Sequence, residues 1–141
     1  MIMTHSAINL TFEKSPEIID EIKGHFTEDG AYTKDTAAKE IAGFMSGDNI
    51  CVIVARQEKK IVGFIVAWIP KDRKFCWMDQ IWHSLSGDEE TALCGMSMLT
   101  DWAADRGVYE LRGETRRNDE AARRKWGFVV HSLIMVRYTN D

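Results

Sequence analysis

The chain has few of the residues and segments that mark secreted or membrane-bound proteins. Only three of its 141 residues are cysteine and only two are proline. The cysteines (Cys51, Cys76 and Cys94) are far apart and lie in apolar segments, which predicts reduced core residues of a cytoplasmic protein rather than disulfides. No apolar run reaches the roughly 20 residues of a membrane span. Residues 1–11 lack a charged start followed by a long apolar core, so we expect neither a signal peptide nor a membrane partner.

Positive charge is also scarce. The chain has 18 Lys and Arg against 22 Asp and Glu, a net charge of −4. A protein that neutralises phosphates needs an excess of cations, so no nucleic-acid partner is expected. No set of residues has metal-ligand spacing, and no Ser-His-Asp arrangement can be argued. What remains is an ordinary soluble composition, 45% apolar and 28% charged, with a length that predicts one domain over residues 1–141.

The apolar patterns predict an α+β fold in the order β-α-α-β-β-β-α-β-α-β, with helices interrupting a mostly antiparallel sheet. Ser15 caps the first helix, Asn118 caps the last, and Gly107 ends the helix between them. The predicted strands are 7–13, 50–56, 61–69, 75–83, 108–115 and 129–138, and the predicted helices are 15–26, 35–45, 88–105 and 118–126.

Two helices have predicted inward faces. The first helix is expected to bury Ile18, Ile19, Ile22 and Phe26. The second is expected to bury Ala38, Ile41, Ala42 and Met45.

Three local motifs together resemble one family. Residues 50–55 lead through a polar turn into Ile61-Val62-Gly63-Phe64. Trp102-Ala103 then runs to Gly107, and Asn118-x-x-Ala121 runs to Gly127-Phe128. In this order and spacing, over roughly residues 8–138, the sequence resembles the GNAT superfamily of acyl-CoA-dependent N-acetyltransferases.

The resemblance implies that acetyl-CoA is the acyl donor and an amine the acceptor. The ends of the fourth and fifth strands would hold the pantetheine arm through backbone bonds, which places Ile81 and Trp82 beside the cofactor, with Asn118 near it. The loop and first turn of the central helix would hold the pyrophosphate with free N–H groups, near Gly87 and Ala92.

That loop departs from the family's glycine-rich pattern. The three glycine positions fall on Asp88, Glu90 and Ala92, and Glu89 adds a further carboxylate. The carboxylates have a structural interpretation, because Ser86-x-x-Glu89 is a capping box and acidic residues stabilise the start of a helix. They would also repel a diphosphate. The sequence thus resembles small phage-type GNAT-like proteins with a degenerate pyrophosphate loop.

The residues for proton transfer are a separate prediction. Asp79 and His83 lie at i and i+4 on the fourth strand, so both are expected on one face, where they could relay a proton. Alternatively, Asp79 pairs with an arginine and His83 is a partly buried strand residue. Glu114 and His131 are further candidates for the base. No tyrosine lies in the last helix to protonate the leaving thiolate.

Two other groups of residues have open interpretations. The first is a cationic run that consists of Arg116, Arg117, Arg123, Arg124 and Lys125. This run could hold the 3′-phosphate of CoA or an acidic partner, or its positive charge could simply stabilise the end of the last helix. Trp82 and Trp126 could line a substrate groove or a protein interface, or could be core residues.

Three functions follow from these observations. The first is an N-acetyltransferase that moves an acetyl group from acetyl-CoA to an amine. The second is a catalytically inactive GNAT-like interaction or assembly protein, for example one carried in a phage virion, with a protein partner or a homodimer. The third is a regulatory CoA-binding module without transfer activity.

Overall fold

The computed structural model describes residues 8–28, 31–84 and 89–113. The predicted helix after Asn118 and the strand 129–138 lie outside the described residues. Within them, the first eight predicted elements occur in the predicted order, and a short 3-10 turn lies between the first two helices. They are β1 (Ile8–Phe12), α1 (Glu17–Ile22), the 3-10 turn (Lys23–His25), α2 (Lys34–Phe44), β2 (Ile50–Gln57), β3 (Lys60–Trp68), β4 (Cys76–His83), α3 (Glu89–Ala104) and β5 (Leu111–Gly113).

The strands form one mixed sheet in the spatial order β1-β2-β3-β4-β5. The first four strands pair antiparallel, and β5 pairs parallel with β4. A parallel pair needs a long crossover, and α3 supplies it. The α+β class predicted from the sequence is confirmed.

Each face of the sheet buries its own apolar cluster. The first face packs against α1 and α2, and the second packs against α3. The first cluster consists of Ile18, Ile19, Ile22, Phe26, Ala37, Ile41, Ile50, Val52, Val54, Phe64 and Val66. The second consists of Cys51, Ile53, Ile65, Ala67, Cys76, Met78, Met96, Leu99, Trp102, Ala103 and Val108.

The predicted end of α3 is confirmed in atomic detail. Gly107 has φ +75°, a left-handed conformation that only glycine adopts at little cost. Its N–H donates to the carbonyl of Ala104 at 2.9 Å, and the N–H of Val108 donates to the carbonyl of Ala103 at 3.0 Å. These two bonds form a Schellman motif, which closes the helix and turns the chain back toward the sheet.

The helix starts differ slightly from the predictions. Pro16, rather than Ser15, occupies the cap position of α1. On α2, Ala37 and Ile41 are buried while Ala42 is exposed, so the predicted inward position of Ala42 is wrong. Thr33 caps α2, accepting from the N–H of Thr36 at 3.2 Å. This cap sets where the helix begins and therefore which side chains it turns inward.

The segment after α3 also differs from the prediction. Val108 is buried, but it belongs to the connection and not to a strand, which begins only at Leu111. The carbonyl of Glu110 accepts from the N–H of Cys76 at 2.8 Å, and this bond brings the chain beside β4. No helix in the described part of the chain is long and apolar enough to cross a membrane.

Candidate active site around the second half of β4

The two halves of β4 differ in their neighbours. β3 pairs with β4 from Trp77 to His83, whereas the pairing with β5 covers only Cys76 to Met78. In the part of the chain that the structure describes, the segment from Asp79 to His83 therefore has a strand neighbour on one side only.

A β-bulge separates the two halves. Val66 is opposite Gln80, whereas the next residue of β3, Ala67, is opposite Met78. Asp79 is thus the extra residue. A bulge interrupts the alternation of side chains between the two faces of a sheet and can re-aim a side chain.

The bulge contradicts the expectation that Asp79 and His83 share one face. His83 is opposite Gly63 and lines a groove on the α3 face. The Asp79 carboxylate contacts the side chain of Gln80 and acts electrostatically on Tyr32, which packs against the α1 and α2 cluster. The i, i+4 argument assumed an uninterrupted strand, and the extra residue removes that assumption. A direct proton relay between the two side chains is therefore not supported.

On the α1 and α2 face, the second half of β4 carries an aromatic wall. The rings of Trp82 and His25 stack with centroids 3.6 Å apart and planes 17° apart. Trp82 also stacks on Phe64, with centroids 5.8 Å apart. The exposed imidazole of His25 thus covers one face of the half-buried Trp82 ring.

Tyr32 lies beside this wall with its hydroxyl held by a carboxylate. The hydroxyl donates to Oε2 of Glu40 at 3.0 Å. Burial raises the pKa of Tyr32 above its usual range, and the negative charges of Asp79 and Glu40 raise it further. Tyr32 therefore stays protonated at physiological pH, as a hydrogen-bond donor and not as a base.

On the α3 face, a mostly apolar groove runs between β4 and the first turns of α3. The groove is open to solvent. Ile81, Trp82 and Ala92, three of the predicted cofactor-binding residues, border it together with His83, although the ring of Trp82 packs against the cluster on the opposite face. The other two, Gly87 and Asn118, lie outside the described residues, as do Glu114, Trp126, His131 and the cationic run.

His83 stands at the end of β4 with one ring nitrogen engaged. Its Nδ1 lies 3.0 Å from the carbonyl oxygen of Ser84, so in the tautomer that donates from Nδ1 the other nitrogen, Nε2, is a proton acceptor. The alternative prediction of a partly buried strand residue is wrong, because His83 is exposed. The position suits a base or a hydrogen-bond acceptor at the edge of the groove.

Of the predicted carboxylates at the start of α3, the structure describes the side chain of Glu90. The helix begins at Glu89, and the side chain of Glu90 is exposed. Asp88 lies outside the described residues. Negative charge in a first turn is favoured by the helix dipole, and the same dipole would attract a phosphate. A carboxylate and a phosphate would therefore compete for this position.

The cysteines are free thiols in two environments. Cys51 and Cys76 are buried beneath α3, and burial raises the pKa of each to about 12. Cys94 is exposed on α3, so the prediction that all three are core residues is wrong for it. Within residues 8–28, 31–84 and 89–113, no three His, Cys, Asp or Glu side chains form a group that could hold a metal ion.

Sequence reasoning missed three side chains of this site. His25 and Tyr32 follow α1 in segments without a motif, and only the folded chain brings them to β4. Gln80 did carry a signal, since it is an amide within an apolar and aromatic strand. Its role depends on the bulge, which the sequence does not reveal.

Comparison with solved structures identifies the architecture. A glucosamine-6-phosphate N-acetyltransferase from Arabidopsis thaliana superposes with a TM-score of 0.69 at 17% identity, covering 95% of this chain and 99% of its own. An aminoglycoside 6′-N-acetyltransferase from Acinetobacter baumannii gives 0.72 at 11% identity, covering 96% and 99%. The chain has the GNAT acetyltransferase fold.

A third GNAT-fold structure was solved with the donor present. It is a predicted acetyltransferase from Clostridium acetobutylicum with acetyl-CoA, and it superposes with a TM-score of 0.71 at 10% identity, covering 93% of this chain and 96% of its own. No family model and no curated protein sequence matches the chain. At such low identities the likeness establishes the GNAT fold and leaves the acceptor open.

Proposed function

We propose that this protein is an N-acetyltransferase that moves the acetyl group of acetyl-CoA to a small amine. One observation carries the proposal: the chain superposes over 95% of its length on a GNAT-fold N-acetyltransferase, with a TM-score of 0.69. The resemblance to the family implies that peptide groups near Ile81 and Trp82, toward the end of β4, bond to the pantetheine arm.

The chemistry needs a base and little else from the chain. The amine nitrogen attacks the thioester carbonyl, the carbon–sulfur bond breaks, the amine loses a proton, and the CoA thiolate gains one. Asp79 is the first candidate for the base, because the bulge aims it toward the face that carries Trp82 and Tyr32. His83 is the second, through Nε2. In this proposal the two act separately, one on each face of β4.

Further binding residues come from the resemblance to the family. Gly87 and Ala92 would lie near the pyrophosphate, and Asn118 near the cofactor. Free thiols at Cys51 and Cys76 support a reducing, cytoplasmic site of action.

A second candidate function is favoured by the carboxylates at the start of α3. A diphosphate placed there would meet the negative charges of Glu89 and Glu90, each of which opposes it by about 1 kcal/mol or more. In this alternative the protein no longer binds acetyl-CoA and serves as an interaction or assembly module, for example in a virion or as a homodimer. A regulatory module that binds CoA without transfer is intermediate between the two.

Thermal unfolding with and without acetyl-CoA separates these functions. A ligand at about 100 times its Kd should add roughly 2.7 kcal/mol to the free energy of unfolding. A shift together with release of CoA thiol in the presence of a panel of small amines would support the transferase. A shift without turnover would support the regulatory module, and the absence of a shift at millimolar acetyl-CoA would reject both.

Charge-removing variants test the role of the carboxylates. If they oppose the diphosphate, Glu89→Gln and Glu90→Gln should each tighten acetyl-CoA binding by about fivefold, as expected for about 1 kcal/mol. Asp72→Asn is the matched control, because it removes one negative charge in the connection before β4, whereas α3 follows the other end of β4. Equal affinities in all three variants would show that the carboxylates do not act on the cofactor.

A further inference from the structure

Gln80 is unusual among the described residues. It is the only polar or charged residue among them that is buried, with 4% of its surface exposed. Burying an amide without hydrogen bonds destabilises a protein by several kcal/mol in the worst case. Both the oxygen and the nitrogen of this buried amide are therefore expected to have hydrogen-bond partners.

Both ends have such partners. Oε1 accepts from the backbone N–H of Thr27 at 2.9 Å, across 53 residues of sequence. Nε2 donates to Oδ2 of Asp79 at 3.4 Å, a long bond to the neighbouring residue of the bulge. One side chain thus joins the connection between α1 and α2 to the carboxylate that the bulge displaces.

We propose that Gln80 is a positioning residue that orients the Asp79 carboxylate and fixes the connection after α1 against β4. The assignment of Asp79 as a base rests on the proposed function. Donation from the amide favours the ionised carboxylate, which is the form that accepts a proton. The bond to Thr27 also holds the segment that begins with His25, whose ring covers Trp82.

The described groups that face Asp79, or lie on elements packed against it, come from the connection before α2, the 3-10 turn, β3 and β5. Tyr32, hydrogen-bonded to Glu40 of α2, faces it from the connection before that helix. The 3-10 turn contributes His25 to the same face. On β3 the opposing residues, Val66 and Ala67, are apolar. On β5 the charged group is Arg112, whose Nε lies 2.8 Å from Oε1 of Glu110.

Two substitutions separate the two bonds. Gln80→Glu keeps an oxygen for the N–H of Thr27 but replaces the donor to Asp79 with a second carboxylate. Gln80→Leu removes both bonds. Two quantities are measured by NMR: the pKa of the Asp79 carboxyl and the hydrogen-exchange rate of the Thr27 amide.

The two variants should respond differently. Both should raise the pKa of Asp79, Gln80→Glu by about one unit or more, because like charges disfavour ionisation. Exchange at Thr27 should become at least about tenfold faster in Gln80→Leu, equivalent to one lost bond of about 1.4 kcal/mol, and should stay near the wild-type rate in Gln80→Glu. In acetyl transfer, the acidic limb of the kcat/KM profile should move to higher pH by the same amount as the pKa of Asp79.

Gln57→Glu and Gln57→Leu are the matched controls, since they make the same changes at the end of β2 and should alter neither NMR quantity. An unchanged Asp79 pKa in Gln80→Glu would overturn the proposal. If Gln80→Leu does not fold, the result for Gln80→Glu is sufficient to test it. If the variants give the expected NMR response but the wild-type protein shows no acetyl transfer, the proposed function is rejected and the positioning role of Gln80 stands.

Discussion

The first and second halves of β4 lie on one strand yet have opposite characters. At Trp77 and Met78 the strand is paired on both sides, and Cys76 and Met78 are buried in the cluster beneath α3. Beyond the bulge, Ile81 and His83 are exposed, and among the described residues only β3 is a strand neighbour. A single extra residue thus divides this strand into a part buried in the core and a part with exposed side chains.

The strongest test of this division introduces the same charge into each half. Cys76 and Ile81 both face α3, but Cys76 is 0% exposed and Ile81 is 38% exposed. We expect Cys76→Asp to lower the free energy of unfolding by about 3–5 kcal/mol or to prevent folding, because it buries an unpaired charge. Ile81→Asp should lower it by about 1 kcal/mol or less. Urea denaturation measures both, and equal losses would show that the two halves are not distinct.

The second half should affect turnover without affecting stability. Asp79→Asn is expected to lower kcat/KM for acetyl transfer by about 100-fold or more, since it removes the proposed base, while the free energy of unfolding changes by less than about 1 kcal/mol. Asp72→Asn is the control, because Asp72 lies outside β4 with φ 60°, a conformation that asparagine also accepts. Full activity in Asp79→Asn would remove Asp79 from the mechanism.

Two buried thiols, Cys76 in the first half of β4 and Cys51 near it on β2, should make the protein less stable at alkaline pH. Burial raises the pKa of the Cys76 thiol to about 12, and burial together with the nearby Cys76 does the same for Cys51, from an ordinary value of 9.0. The unfolded chain loses these protons at a lower pH than the folded chain. The contribution of the two thiols to the free energy of unfolding should therefore be constant below pH 9 and fall as the pH rises from 9 toward 12. The slope should be on the order of 1 kcal/mol per pH unit for each thiol.

Thermal unfolding across this pH range measures the alkaline effect. The double variant Cys51→Ala, Cys76→Ala should show a flatter dependence, although its absolute stability will be lower. Cys94→Ala is the control, because this thiol is exposed. A steep alkaline loss that persists in the double variant would have to come from other groups.

The smallest expected effect concerns the separation of Asp79 from His83. If the bulge places them on opposite faces, the losses of kcat/KM in Asp79→Asn and His83→Ala should multiply in the double variant to within about twofold. If the two form a relay, the double variant should lose no more than the more damaged single variant. Steady-state kinetics of the three variants distinguishes these outcomes.

Much of the fold was predictable because its signals are local. The hairpin predicted at 50–56 and 61–69 is observed at Ile50–Gln57 and Lys60–Trp68. The helix predicted at 88–105 is observed at Glu89–Ala104. In each case an apolar pattern of the correct period is bounded by polar or glycine residues, and these bounds act within a few residues of themselves.

The candidate site was less predictable because its geometry depends on distant parts of the chain. Asp79 and His83 were found as chemically suitable side chains, yet their common face was predicted wrongly. The error comes from one residue of register between β3 and β4, and register is a property of the pair of strands. The neighbours that give Asp79 its surroundings, Tyr32 and Gln80, come together only when α1, α2 and β4 pack on one another.

By itself, the sequence determined the element types, their order and their ends, because periodicity, caps and the left-handed Gly107 act locally. Only the tertiary structure decided which side chains of β4 face the acceptor side, which cysteines are buried, and how Gln80 joins Thr27 to Asp79. Those outcomes depend on strand register and on packing between segments distant in the chain. Local propensity cannot specify them, since a shift of one residue exchanges the two faces of a strand.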